Sequence, residues 1–184
     1  MDTLLIAGYA RSGLTLTMQL LHYGGYPCYG TPPAFEDYGR INQIDYGEAE
    51  GKAVKIPDIY NHFPPKGDYR VIRLRRNYQE QAKSVIKFMR VIVGQRVYDN
   101  RKTRREIIRS LKKEYHIIDR WAKKQTALMI LDFEDIINDP ELTLEILSDF
   151  INFKLDRKAL KCVIKRNTEC YNGFIEAQIL NRKL

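Results

Sequence analysis

The feature that most constrains this chain is its opening. A wholly apolar run, Leu4-Leu5-Ile6-Ala7, leads through Gly8-Tyr9-Ala10-Arg11-Ser12-Gly13-Leu14-Thr15 into a helical pattern that stops at Gly24-Gly25. A short unbroken apolar run is the mark of a strand buried on both faces of a parallel sheet. From Thr15 to Tyr23 the residues Leu16, Gln19, Leu20 and Tyr23 share one helical face, and the glycine pair supplies the C-terminal stop. Strand, glycine-bearing loop and helix in this order form a βα nucleotide-binding opening. The two loop glycines have the spacing of G-x-x-x-x-G-K-[ST] in the context that motif requires. Leu14, however, stands where the lysine belongs, and losing that lysine removes a charge-assisted contact of about 1.5 to 3 kcal/mol to a terminal phosphate. The loop is therefore read as a cradle for something shorter than a triphosphate. The backbone N–H groups of Ser12, Gly13, Leu14 and Thr15 are expected to open at the helix N-terminus, where an anion gains both hydrogen bonds and the helix dipole. Arg11 adds a fork of donors suited to charge on a transferring group.

The remainder alternates strands with helices. Ala53-Val54-Lys55-Ile56 reads as a second strand ending at Pro57, and Tyr69 to Leu74 as a third. A helix is expected from about 79 to 93 and a longer one from 103 to 124, its buried stripe being Ile107, Ile108, Leu111, Tyr115, Ile118 and Trp121. Ala127 to Leu131 is a further apolar strand. Asp139-Pro140-Glu141 then starts a helix, with Asp as N-cap and Pro at the first helical position. Residues 26 to 50 carry Pro27, Pro32, Pro33, Gly30, Gly39 and Gly47 among aromatics and are read as a long irregular excursion of the kind that often carries function. No repeat or linker divides the chain. The expectation is one α/β domain over residues 1–184, with a mainly parallel sheet flanked by helices in three layers.

Charge is unevenly placed. The net charge is +8, yet residues 73 to 124 hold seventeen Lys or Arg against five acids, a local balance of +12 against −4 for the rest. Such a segment can attract anionic partners, although charge runs on helices ordinarily face water. Cys28, Cys162 and Cys170 form no C-x-x-C pair and, with His22, His62 and His116 scattered, no metal-ligand spacing. Reduced, structural thiols and no metal are expected. No apolar run nears the ~20 residues of a membrane span, and the first strand begins directly after Asp2, so a cytoplasmic protein without a signal peptide is expected.

Three ordered segments resemble one family. Gly8 to Thr15 is similar to the 5′-phosphosulfate loop of the sulfotransferases that use 3′-phosphoadenosine 5′-phosphosulfate, roughly G-x-P-[KR]-S-G-T-[TS]. Val71-Ile72-Arg73-Leu74-Arg75-Arg76-Asn77, continuing to Ser84, resembles that family's 3′-phosphate motif, an Arg closing a strand and a Ser eight residues later. Leu131-Asp132-Phe133-Glu134-Asp135-Ile136, Asp139-Pro140 and Leu144 to Phe150 resemble its later strand, Y-E-D-L, D-P and helix segment. The matches span roughly residues 4 to 153 and are closest to the compact bacterial members. The resemblance implies a sulfotransferase-like P-loop fold. It also implies sulfuryl transfer from that donor to a hydroxyl or amine, leaving 3′-phosphoadenosine 5′-phosphate. In this reading Arg11, Ser12, Gly13, Leu14, Thr15, Arg76 and Ser84 bind the cofactor, Arg11 and Lys55 act on the sulfuryl group, and no metal is required.

The departures define the open points. Leu14 replaces a Thr, and Ala10 and Tyr78 replace prolines. Pro57 stands where cytosolic members carry a His after the second strand. Glu36, in the excursion, is the first candidate for a general base; Asp58 and His62 are the alternatives. A competing class is a P-loop kinase or NTPase, with Asp132 at the end of an apolar strand as a magnesium-holding residue. A third is a degenerate family member that binds the nucleotide, or an anionic partner through the basic helices, without catalysis. The acceptor is left as a small molecule or glycan, nucleic acid is not the expected partner, and Lys165 and Arg166 are possible extra phosphate contacts.

Overall fold

A computed structural model describes residues 2–36, 44–57, 59, 63–91 and 96–164. Its centre is a four-stranded parallel sheet in the order β2-β1-β3-β4, with β1 Thr3–Ala7, β2 Ala53–Ile56, β3 Tyr69–Arg75 and β4 Ala127–Asp132. Leu5 is in register with Val54 on one side and Val71 on the other, and Val71 with Leu128. β1 is buried along its whole length, as an unbroken apolar run demands of a central strand, and β2, at the end of the sheet order, is buried throughout as well, Lys55 included.

Alternation along the strands builds two cores. Leu4 and Ile6 of β1, with Ile72 and Leu74 of β3, face α1 (Leu14–Tyr23), α4 (Phe133–Asn138) and α5 (Pro140–Ile151). Leu5, Ala7, Val54, Ile56 and Val71 face the opposite layer, formed by α2 (Tyr78–Val91) and α3 (Arg101–Ala122). A 3-10 turn at Arg157–Leu160 and α6 (Lys161–Ile164) close the first layer against α1. The fold is thus α/β, a parallel sheet between two helical layers.

Local chemistry sets the element ends. Asn100 caps α3 by accepting from the Thr103 N–H, and Asp139 caps α5 by accepting from the Leu142 N–H, with Pro140 at the first helical position. The buried face of α3 is Leu111, Tyr115, Ile118 and Ala122, with Ile107, Ile108 and Trp121 packed half-buried beside it. Three details differ from the sequence reading. Phe133–Asn138 is a short helix, because Glu134 and Asp135 favour a helical first turn immediately after the strand. β4 is an edge strand, and Ile130 is 47% exposed despite the apolar run. Within the excursion, Cys28 makes a parallel bridge to Ala53, and the Tyr29 N–H donates to the Ala53 carbonyl, so residues 27 to 29 partly cover the β2 edge. Burial pushes the Cys28 thiol up to about 12, and Cys28 is unbridged.

Candidate functional site

β1 leads through α1 toward β2 on one side, whereas β3 leads through α2 and α3 to β4 on the other. Connections diverging from adjacent strands open a crevice at their carboxyl ends, the place where open α/β sheets bind ligands. The loop after β1 and the residues after β3 meet there.

Two glycines shape the loop. A Cβ on Gly8 would lie 2.6 Å from the Ser12 hydroxyl oxygen and 3.3 Å from the Leu74 carbonyl oxygen, so β1 can turn tightly past β3 only without a side chain. Gly13 has φ +105°, and a Cβ there would lie 2.7 Å from the Phe133 ring. Arg11 is also left-handed, at φ 70°. That conformation costs a non-glycine residue about 1 to 3 kcal/mol and persists only where surrounding contacts fix it. Here Arg76 Nη1 donates to the Arg11 carbonyl oxygen at 3.0 Å, and Arg11 Nε donates to the Ser84 hydroxyl at 3.1 Å. The loop residue and the β3–α2 pair that the sequence separates by more than sixty positions therefore form one cluster. The Arg76 guanidinium also lies 4.2 Å over the Phe133 ring. Phe133, which the sequence reading did not single out, wedges between Arg76 and Gly13.

At the start of α1 the N–H groups of Leu14 and Thr15 have no intrahelical partner. The Leu14 side chain is buried in the core rather than turned to the site. The Ser12 N–H turns back to the Tyr9 carbonyl at 3.1 Å, so this one of the four expected amides is engaged inside the loop. The Ser12 side chain is fully buried near the Tyr115 hydroxyl.

The β2 side holds Lys55. It is 3% exposed, and its Nζ donates to Thr15 Oγ1 at 2.9 Å and to the Ala34 carbonyl at 2.7 Å, and pairs with Glu36 Oε1 at 2.6 Å. Burial pulls the ammonium below its ordinary value, opposed by the Glu36 carboxylate. Glu36 is 42% exposed at the mouth. The excursion reaches this point because Phe35, wholly buried, anchors it edge-on to His22, and because Gln19 Nε2 donates to the Pro33 carbonyl at 3.2 Å. Lys55 and Glu36, chosen from sequence for different roles, are thus direct partners. Asp58, His62, Lys165 and Arg166 lie outside the described residues.

Behind the loop is a buried polar relay that sequence reading missed. Gln81 Nε2 donates to the Ala10 carbonyl at 3.1 Å, and Gln81 Oε1 accepts from the Tyr115 hydroxyl at 2.9 Å. The Arg73 guanidinium stacks 4.4 Å over the Tyr115 ring, and its Nε pairs with Asp119 at 2.7 Å. Burial drives the Tyr115 phenol up to about 12, so it remains a donor at neutral pH. The available signal was Gln81 standing one turn before Val85 on the buried face of α2, where a polar side chain needs a partner.

Asp132 has another use than the metal site considered for it. Arg75 Nε and Nη2 donate to its two carboxylate oxygens at 2.8 and 2.6 Å, across the register pair of β3 and β4. A bidentate guanidinium partner occupies both oxygens that a cation would need.

No protein-family model matches the chain, and no curated protein matches it by sequence. Solved structures do match by fold. A sulfotransferase domain from the curacin biosynthetic pathway aligns with TM-score 0.62 at 13% identity, over 96% of this chain and 82% of that one. Mouse sulfotransferase SULT7A1 complexed with PAP aligns with TM-score 0.66 at 10% identity, over 99% and 73%. Retinol dehydratase in complex with androsterone and the inactive cofactor PAP aligns with TM-score 0.57 at 17% identity, over 94% and 67%. The structural neighbours are sulfotransferases over nearly the whole chain, and the fold is theirs.

Proposed function

We propose that this chain is a single-domain sulfotransferase that moves a sulfuryl group from 3′-phosphoadenosine 5′-phosphosulfate to a hydroxyl or amine. The observation that carries the reading is the convergence of Arg11, Ser84 and Arg76 with Thr15 and Lys55 around one loop at the carboxyl ends of β1, β2 and β3. The donor set fits a ligand with two anionic ends. Guanidinium groups and a serine hydroxyl stand on the β3 side, helix-terminal amides and a threonine hydroxyl stand at the centre, and a buried ammonium stands on the β2 side. Support also comes from the shared fold and from PAP in complexes of two of the neighbours described above.

In this reading Arg76 and Ser84 hold the 3′-phosphate, and the amides of Gly13, Leu14 and Thr15 hold the 5′ end. The donor, when bound, supplies a sulfuryl group on a phosphate leaving group. Arg11 and Lys55 face the charge that accumulates on the equatorial and leaving oxygens, an electrostatic contribution of about 2.7 to 4 kcal/mol per donor group in sites of this kind. Glu36 accepts the proton that the acceptor hydroxyl or amine releases, and the proton leaves to water from its exposed side. Its 2.6 Å pairing with Lys55 holds the carboxylate at the mouth of the site before the acceptor arrives.

Calorimetry tests the reading. 3′-Phosphoadenosine 5′-phosphate is expected to bind without magnesium, and Arg76→Ala to weaken that binding about ten- to a hundredfold, while ATP with magnesium does not bind. Binding of ATP with magnesium and not of the bisphosphate overturns the proposal. A panel of hydroxyl and amine acceptors then tests turnover, read as acceptor-dependent release of the bisphosphate.

A further inference from the structure

The outward face of α3 is a line of positive charge. Lys102, Arg105, Arg109, Lys113 and Arg120 are all exposed and fall within an arc of about 80° at the helical repeat, opposite the buried face of Leu111, Tyr115, Ile118 and Ala122. The line runs about 27 Å along the helix axis, from residue 102 to 120. Glu106 is the only exposed acid on the helix. Among the described residues, the ion pairs of α3 are Arg104 with Asp99 and Asp119 with Arg73, and neither belongs to this line.

This arrangement works against the helix that carries it. Arg101 and Arg105, Arg105 and Arg109, and Arg109 and Lys113 are like charges four residues apart, which repel. The first turn contains Arg101, Lys102 and Arg104 and no acid, the unfavourable sign for a helix N-terminus. A face that only needed solvation would interleave both signs, as paired helix surfaces do.

The line also leads somewhere. Arg101 and Arg105 line a groove of about 480 Å³ together with Gln79, Asp99, Arg104 and Ile108. The groove lies against the first turn of α2, and Glu80 in that turn is within electrostatic reach of both Arg104 and Arg76. The positive line therefore begins beside the β3 side of the donor cluster.

We infer that the outer face of α3 and the adjoining groove dock a linear acidic polysaccharide, which serves as the acceptor. The choice of a hydroxyl-bearing polymer rests on the sulfuryl-transfer reading; the anionic and extended character rests on the face itself. An extended line of cations matches a chain of repeated carboxylate or sulfate groups better than one small anion. Single-stranded nucleic acid is disfavoured because between residues 102 and 120 this face offers one exposed ring, His116, and no Phe, Tyr or Trp platform on which successive bases could stack. A lipid surface is disfavoured because the apolar face of α3 is already buried against the sheet and α2, leaving nothing to insert.

The test uses the full chain, an oligogalacturonate as the acidic probe, neutral dextran, a single-stranded DNA of matched charge and vesicles containing phosphatidylserine. The oligogalacturonate is expected to bind, to weaken as salt rises from about 50 to about 200 mM, and to bind at least about tenfold more weakly to Arg105→Glu/Arg109→Glu/Lys113→Glu. The Arg→Lys form at 105 and 109 keeps binding, and Lys154→Glu, an exposed charge change elsewhere, leaves it unaltered. Circular dichroism and calorimetry with 3′-phosphoadenosine 5′-phosphate on the triple variant show that fold and donor site persist. Absence of oligogalacturonate binding, indifference to the triple reversal, or tighter binding of DNA or vesicles at equal charge overturns the inference. If oligogalacturonate binds through this face while the bisphosphate does not bind at all, the docking surface stands and the sulfuryl-transfer reading fails.

Discussion

The two flanks of the candidate site are built from different materials. On the β3 side, Arg76 follows directly on a seven-residue strand, Ser84 sits in the second turn of a fourteen-residue helix, and Asn77 caps that helix by accepting from the Gln79 and Glu80 N–H groups. Regular elements fix these positions. On the β2 side, Lys55 belongs to a four-residue strand and meets Ala34 and Glu36, whose described neighbours 31 to 36 lie in turn and irregular backbone. The contacts differ in kind as well. Those drawn by Arg11 and Arg76 include a hydroxyl, a carbonyl and an aromatic ring, whereas those drawn by Lys55 include a carboxylate. A rigid array suits holding a ligand of fixed shape, and a charge pair at the mouth suits moving a proton or responding to one. Binding and chemistry are expected to separate along this line.

The sharpest break is made at Glu36. Glu36→Gln keeps the shape and the hydrogen-bonding capacity but removes the proton acceptor. Acceptor-dependent release of the bisphosphate should fall about 10²- to 10⁴-fold, with affinity for the bisphosphate changed less than about threefold. An undiminished rate would move the base elsewhere and leave Glu36 as the partner of Lys55 only.

Lys55→Met comes next, with an expected loss of about 10²- to 10³-fold in turnover. Stability should stay within about 1 kcal/mol, because an apolar chain of similar length removes the desolvation of a buried ammonium and Glu36 is exposed enough to be hydrated. The pH dependence gives a second reading. Burial lowers the Lys55 pKa in the folded chain below its ordinary 10.5. Between the two values the unfolded chain binds more protons than the folded one, so the Lys55 contribution to stability rises with pH there. Denaturant unfolding across that alkaline window should show this rise in the parent and a flatter curve in Lys55→Met.

On the opposite flank the expected effects are on binding. Arg76→Ala removes charge-assisted hydrogen bonds of about 1.5 to 3 kcal/mol, so calorimetry should show the bisphosphate about ten- to a hundredfold weaker. If Arg76→Ala and Lys55→Met weaken the bisphosphate equally, the division between a binding flank and a chemical flank fails.

The same division marks what sequence could reveal. β1, the loop and α1 were legible because burial on both faces forces an unbroken apolar run and a tight turn forces glycine. Arg76 and Ser84 were singled out by the family resemblance, while their places after a strand and on the following helix were legible from the apolar patterns of β3 and α2. Lys55 and Glu36 were each visible as candidates, but their contact was not, since it depends on Phe35 and Gln19 pinning an irregular segment through contacts that follow no period. Asp132, which supported only the competing class, was ambiguous because an acid ending an apolar strand looks the same whether it awaits a cation or pairs with Arg75 on the neighbouring strand. Phe133 was hidden because the strand was read to Leu131 and the next helix from Asp139, which left the short helix between them without a signal of its own.

The smallest effect is expected behind both flanks, where it tests how firmly the loop is held. Tyr115→Phe keeps the ring under the Arg73 guanidinium and removes only the hydroxyl that donates to Gln81 Oε1. Gln81 is fully buried, so its oxygen is left without that donor, a cost of about 1 to 3 kcal/mol measurable by denaturant unfolding. Gln81 Nε2 still reaches the Ala10 carbonyl, so the loop loses a constraint without losing its own hydrogen bond. If the relay only stabilises the fold, bisphosphate affinity is unchanged. If it also positions Arg11, one residue beyond Ala10, affinity falls severalfold while turnover at saturating donor stays where it was. That combination would place the relay with the β3 flank, as part of the rigid array, and assign the chemistry of the opposite flank to Lys55 and Glu36.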